Sequence, residues 1–288
     1  MNYLLLLLTA LLLTTQKITQ KRYNTIRSSG IFLFSGMISL CAMAVFALVA
    51  TVTHAWSWNP HLILPAVAFG LSYAAGTVFV VLAIRNGSLA KTTLITSYSL
   101  LVPATVGMVI LREPTRPTML AGILLLILSL WLIHHRKAQG GESVTWVWVV
   151  CVSLAFAGNG LCSTVQKLAP HYVEPSYMNQ TMYMVAALGL SAVVLVVASL
   201  LTRETEPSQT LRRGAPLALL CGLCNGGVNC LVLYLNTRLP ASVLFPAMSA
   251  CQIVLVCAYS LMVCRETFTR KQWTGFAVGI LSVILLNL

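Results

Sequence analysis

Aspartate is missing from this chain altogether, and its acidic inventory is six glutamates: Glu113, Glu142, Glu174, Glu204, Glu206 and Glu266. Charge of either sign is scarce, at 8% of residues against about 25% in ordinary soluble proteins, while 58% of the 288 residues are apolar. Most of the chain therefore has no aqueous surface to occupy, which excludes a soluble globule. Without Asp no aspartyl dyad can be built, and neither HExxH nor GxSxG occurs. A membrane-embedded enzyme, the rival class, is left with no recognisable nucleophile, acid/base pair or metal set. His134-His135 abuts Arg136-Lys137 and reads as a solvated interfacial pair. The start, Met1-Asn2-Tyr3 and then leucine, lacks the basic region and cleavage site of a secretory signal, so it is expected to persist as the first helix. The connectors are too short for a signalling domain, which disfavours a receptor or scaffold.

What is abundant is Lys and Arg relative to acid, for a formal charge of +12. These cations sit in short connectors, where membrane topology accounts for them, so no nucleic-acid partner is expected. Nine cysteines lie almost wholly in apolar segments and read as packing residues. Cys221 and Cys224 form a CxxC with no second pair or nearby His, so neither metal nor cofactor is implied.

A helix needs about 20 largely apolar residues to cross the hydrocarbon core. Breaking the chain at charge, Pro and Gly clusters gives ten spans: roughly 3–22, 30–53, 62–84, 92–111, 118–134, 145–166, 178–201, 215–236, 241–264 and 272–288. The fold class expected is thus an all-α membrane protein with ten transmembrane helices, its partner the lipid bilayer. Of the 18 Lys and Arg residues, fourteen fall in odd-numbered connectors and four in even ones. By the positive-inside rule both termini lie outside the cytoplasm, in the plasma (inner) membrane. Trp56 and Trp58 fit an outer aromatic belt.

Sliding the chain by 153 residues aligns 82–135 with 235–288 without a gap. Arg85, Arg112, Glu113, Gly122 and Ser129 fall on Arg238, Arg265, Glu266, Gly275 and Ser282. A shift of 150 superposes Gln16-Lys17 on Gln166-Lys167. Two halves, 1–138 and 139–288, follow, and five spans per half force the second into the membrane upside down. Inverted repeats place a binding site at their interface near the midplane and permit alternating access.

The stretch around Arg85, Pro103 in span four, Leu111-Arg112-Glu113 and Gly122, echoed by Cys264-Arg265-Glu266 and Gly275, resembles the EamA type of the drug/metabolite transporter superfamily. The resemblance covers essentially the whole chain and implies two five-helix repeats. It also implies a cavity lined by spans one to four and six to nine, spans five and ten packing outside, and export of amino acids or other metabolites. One departure is that Val256 stands where the first half has Pro103, the second half's proline being Pro246.

Polar residues inside spans must find partners away from lipid. Asn159, Ser163 and Gln166 share one face of span six, and Asn225, Asn229 and Asn236 recur in span eight. Ser249 and Gln252 in span nine are matched in the first half by Ser39, by Tyr73 and Thr77, and by Ser97 and Tyr98. With Gln16 and Lys17 these stripes are the candidate substrate-binding set, the alternative for each being a helix-to-helix hydrogen bond. Lys17 and Lys167 either meet a substrate carboxylate or snorkel to the interface. No Glu falls inside a span, which disfavours a carboxylate-centred cation antiporter or multidrug exchanger. The function expected is a secondary-type exporter or facilitator of a small polar or zwitterionic metabolite, such as an amino acid. A monomer suffices for this, and oligomeric state stays open.

Overall fold

In a computed structural model the structure describes residues 2–26, 29–87, 89–99, 101–112, 117–134, 145–173, 179–204, 207–263 and 270–286. Among these there is no strand. Eleven helices follow in order: α1 (Asn2–Ile26), α2 (Ile31–Val52), α3 (Ile63–Asn86, led by a 3-10 turn at Pro60–Leu62), α4 (Leu89–Tyr98), α5 (Leu101–Val109), α6 (Pro117–His134), α7 (Trp146–Tyr172), α8 (Gln180–Leu201), α9 (Pro207–Asn236), α10 (Ala241–Met262) and α11 (Arg270–Leu286). Only helices satisfy every backbone polar group within one segment in lipid, so a chain this apolar has no other architecture open to it except a closed barrel. Six helical runs are long and apolar enough to cross a membrane: Tyr3–Ile26, Ile31–Val52, Pro60–Asn86, Trp146–Tyr172, Gln180–Leu201 and Pro207–Asn236. Ile95–Val109, Leu120–Ser129 and Val243–Val256 form shorter apolar stretches.

Three boundaries differ from the sequence expectation. α1 continues to Ile26, past the end of its leucine run, because its last turns bury Gln16, Lys17, Gln20 and Tyr23 against neighbouring helices. α9 begins at Pro207, before span eight's apolar stretch: proline suits the first helical turn, and the polar residues after it are helix-compatible. In span four α4 ends at Tyr98 and Ser99 is a turn residue. Pro103 lacks the N–H that would reach the Ser99 carbonyl, and its ring crowds that oxygen. The Ser99 carbonyl instead accepts from Val102 N at 3.2 Å, and the Ser99 hydroxyl donates to Thr96 O at 2.6 Å. In the second half α10 runs unbroken through Val256, with Pro246 near its start.

Helix contacts recur in matched pairs. α3 packs on α7 as α1 does on α9, α2 on α9 as α8 does on α3, and α1 on α10 as α7 does on α5, while α2–α8 and α6–α11 map onto themselves. Two sets of bonds mark the self-pairs. The Ser39 and Ser191 hydroxyls meet at 3.1 Å between α2 and α8. Between α6 and α11, Ser129 Oγ donates to Gly275 O at 2.6 Å, and Ser282 Oγ donates to Gly122 O at 2.7 Å. Close crossings use glycine, as expected where lipid offers no hydrophobic drive and contact alone must hold helices. At Gly158 on α7 a Cβ would lie 2.6 Å from the Gly76 nitrogen of α3, so the two backbones touch.

Helix starts are tied down individually. Thr145 and Asn179 cap α7 and α8 by accepting from Trp148 N and Met182 N. α2 starts at Gly30, in the left-handed region at φ 76, and its free N–H groups at Phe32 and Leu33 donate to Glu204 at 2.9 and 3.0 Å. Ser199 Oγ donates to the same carboxylate at 2.7 Å. Glu204 is the one carboxylate among the described residues, and it sits outside the spans. Glu113, Arg265 and Glu266 lie outside the described residues. The seven described cysteines whose state is recorded, Cys221 and Cys224 included, are free.

Candidate functional site

A cavity of about 120 Å³ opens where α1, α3, α4, α7, α9 and α10 converge, with room for several water molecules. Among the described residues, neither α6 nor α11 contributes a lining residue. α1 supplies Leu13, Gln16, Lys17 and Gln20, a single helical face at intervals of three and four residues. Tyr73, Thr77 and Val80 project from α3, and Asn159, Cys162, Ser163 and Gln166 from α7. α9 gives Asn225, Val228, Asn229 and Val232, while α10 gives Phe245, Met248 and Gln252. Thr96 and Ser99, at the turn in span four, complete the wall.

Side-chain amides form a chain across it. Gln166 Nε2 donates to Asn229 Oδ1 at 3.4 Å, Asn229 Nδ2 to Asn225 Oδ1 at 2.9 Å, and Asn225 Nδ2 to Gln16 Oε1 at 3.5 Å. The chain thus runs from α7 through α9 to α1, joining the two glutamines that the 150-residue shift superposes. Its outer links are long, so they orient the amides loosely and leave them free to exchange partners.

Lys17 is 9% exposed and lines the cavity, and no described carboxylate lines it with Lys17. Glu204 is consumed at the start of α2. The wall therefore combines one cation with neutral donors and acceptors. Among the wall residues, Gln20 Oε1 has no hydrogen-bond partner, on a side chain 1% exposed. Buried polar atoms are rarely left so.

Ten of the fourteen candidate residues line this cavity: Gln16, Lys17, Tyr73, Thr77, Asn159, Ser163, Gln166, Asn225, Asn229 and Gln252. Four do not. Ser39 is spent on Ser35 O and Ser191, between helices. Ser97 donates to Gln252 Oε1 at 3.4 Å, and Ser249 donates to Ser97 O at 2.9 Å, so both support the wall from behind. Tyr98 is half-buried outside the lining. Lys167, 4% exposed, is buried and off the cavity. Gln20, Thr96, Ser99 and Cys162 line it as well, Thr96 from the polar stripe of span four. Gln20 carried a signal in the sequence, its spacing of three and four residues from Lys17 and Gln16.

An all-helical membrane protein with a polar cavity enclosed by helices of both halves is built as a polytopic transporter. A profile of the EamA-like transporter family matches residues 141–288, just over half of the chain. The chain belongs to that family, and through it to the drug/metabolite transporter superfamily, whose EamA members are transporters and not enzymes. No curated protein matches it. A solved crystal structure described only as that of a protein aligns over 97% of this chain and 98% of its own, with a TM-score of 0.69 and 15% identity. That likeness shows a shared fold.

Proposed function

We propose that this protein is a secondary-type exporter or facilitator of a small polar or zwitterionic metabolite such as an amino acid, working by alternating access. The observation that carries the reading is the cavity itself: it lies between the halves and is lined by amides and hydroxyls. It holds one cation, Lys17, with no carboxylate among the described residues. A buried cation in low dielectric needs an opposite charge, and here a solute carboxylate would bring it. A lipophilic cation would meet repulsion instead, which tells against multidrug or cation antiport.

Ten spans in two inverted five-helix repeats, 1–138 and 139–288, are part of this proposal. The exchange symmetry of the helix pairs and the reciprocal Ser129–Gly275 and Ser282–Gly122 bonds support it. So does the lysine and arginine count for placement in the plasma (inner) membrane with both termini outside the cytoplasm. One half can then rock against the other about the α2–α8 contact.

The test is flux in liposomes carrying the purified protein. Labelled amino acids should equilibrate down a gradient without a proton gradient. Gln166→Ala or Asn225→Ala should cut the rate about tenfold or more by removing a link of the amide chain, with insertion unchanged. Exchange of lipophilic cations for protons, with no amino-acid flux, would sink the reading.

A further inference from the structure

We propose that Lys17 and Gln20 of α1 together form a clamp for the head group of an α-amino acid, Lys17 binding its carboxylate and the Gln20 carbonyl oxygen its ammonium. The inference rests on the transport reading above and deepens it to the residues that read the substrate.

An α-amino acid carries two charged groups on one carbon with opposite hydrogen-bonding character. Its carboxylate only accepts and its ammonium only donates. A wall that binds both must set a cationic donor beside a bare acceptor. Residues three apart on a helix are neighbours, with Cβ atoms about 5–6 Å apart, so the side chains of Lys17 and Gln20 can reach the two groups of one molecule. Both line the cavity. Lys17 offers three donors and no acceptor. Gln20 Oε1 is buried and has no partner, and it is not satisfied by Lys17. Leaving an acceptor buried and bare is unfavourable, and a bound ammonium would relieve it. Leu13, one turn before Lys17, and Val228 and Val232 on α9 give the rest of the solute an apolar wall.

The second half holds no equivalent. The 150-residue shift that carries Lys17 onto Lys167 carries Gln20 onto Pro170, which has no side-chain acceptor, and Lys167 is off the cavity. The clamp is therefore a property of one half, and it breaks the symmetry of the site at the point where the head group sits.

The proposal separates three solutes that share a hydrocarbon tail. L-Leucine fills both positions, 4-methylpentanoate satisfies Lys17 alone, and isopentylamine satisfies Gln20 alone while facing the Lys17 charge. With full-length protein in liposomes, counterflow of labelled L-leucine is competed by each compound. In the unsubstituted protein leucine should compete best, 4-methylpentanoate about tenfold more weakly, and isopentylamine most weakly, as loss of one charge-assisted contact implies. Gln20→Leu should weaken leucine about tenfold and leave 4-methylpentanoate unchanged, closing the gap between them. Gln20→Met, of similar length and also without the oxygen, should do the same and serves if the leucine variant fails to insert. Lys17→Met should weaken both acids and spare the amine. The ratio between probes is the readout, because a loss of folded protein lowers all signals together. If leucine moves but the ratio in both Gln20 variants equals that of the unsubstituted protein, the clamp is wrong and the transport reading stands. If the unsubstituted protein moves no amino acid, both fall.

Discussion

Glu204 shows how much one side chain can be asked to do in a protein with so few acids. Its carboxylate accepts from the Phe32 and Leu33 N–H groups and from Ser199, so it caps a helix to which it does not belong. The residue that starts α2 is glycine and has no side chain to cap with, hence the borrowed one. Glu204→Ala should lower stability by about 1–2 kcal/mol, the range for losing a helix cap with charged hydrogen bonds, measured as thermal unfolding in detergent. Glu204→Gln, keeping one acceptor oxygen, should fall between. An alanine variant as stable as the parent would mean that water caps α2 equally well. At this scale the sequence was informative for polar residues within apolar runs, because periodicity put Asn159, Ser163 and Gln166 on one face. It was silent on which stripes meet a cavity. Ser39 and Tyr73 look alike as polar residues in spans, but one finds Ser191 and the other an open wall, and only packing distinguishes them.

The elements divide into those that apolar run length reveals and those that it misplaces. α2, α3 and α8 follow their hydrophobic runs closely, since lipid contact and helix length are set by the same residues. α1 and α9 extend beyond theirs because protein neighbours or the interface, and not lipid, receive the polar turns. Span four is the element with the most consequence for transport. Its turn is at Ser99, which lies in the cavity wall as Thr96 of the preceding helical turn does, and its cause is Pro103. Pro103→Ala restores the missing N–H and should allow α4 and α5 to join. The expected result is a protein stabilised by up to about 3 kcal/mol, the cost of an interior proline, with slower flux as the wall loses its joint. Thermal unfolding and liposome flux measured together check this, and faster flux with no gain in stability would count against it. The Gly76–Gly158 crossing makes the opposite case. A methyl group at Gly158 meets backbone, which cannot move aside, and through Asn159 next to it the strain reaches the cavity. Gly158→Ala should cost about 1–3 kcal/mol and reduce flux.

At the level of the whole molecule, the fold was legible because hydropathy and charge speak about the membrane directly. Apolar runs mark spans, while the side each connector faces is a proposal that rests on the Lys and Arg count, from which the structure removes Lys17 and Lys167 by placing them inside α1 and α7. A cysteine at Gln209, in a variant otherwise free of cysteine, should react with an impermeant thiol reagent only from the cytoplasmic face, and one at Ser57 only from outside. Labelling of both from one face would remove the orientation, although not the symmetry of the helix pairs. The proposed repeat rests in the sequence on Arg112 and Gly122 against Arg265 and Gly275. The asymmetry is not visible there: Lys17 and Lys167 are twins in sequence, yet only Lys17 lines the cavity, since each is buried by helices that differ between the halves.

The α6–α11 contact is reciprocal. Each half gives a serine hydroxyl and receives one at a glycine carbonyl seven residues away on the same helix, so the edge is complementary to itself turned over. That is the isologous logic of a two-fold homodimer. Both serine hydroxyls in this seam are matched by a carbonyl on the facing helix, so neither helix turns an unpaired serine hydroxyl toward lipid along it.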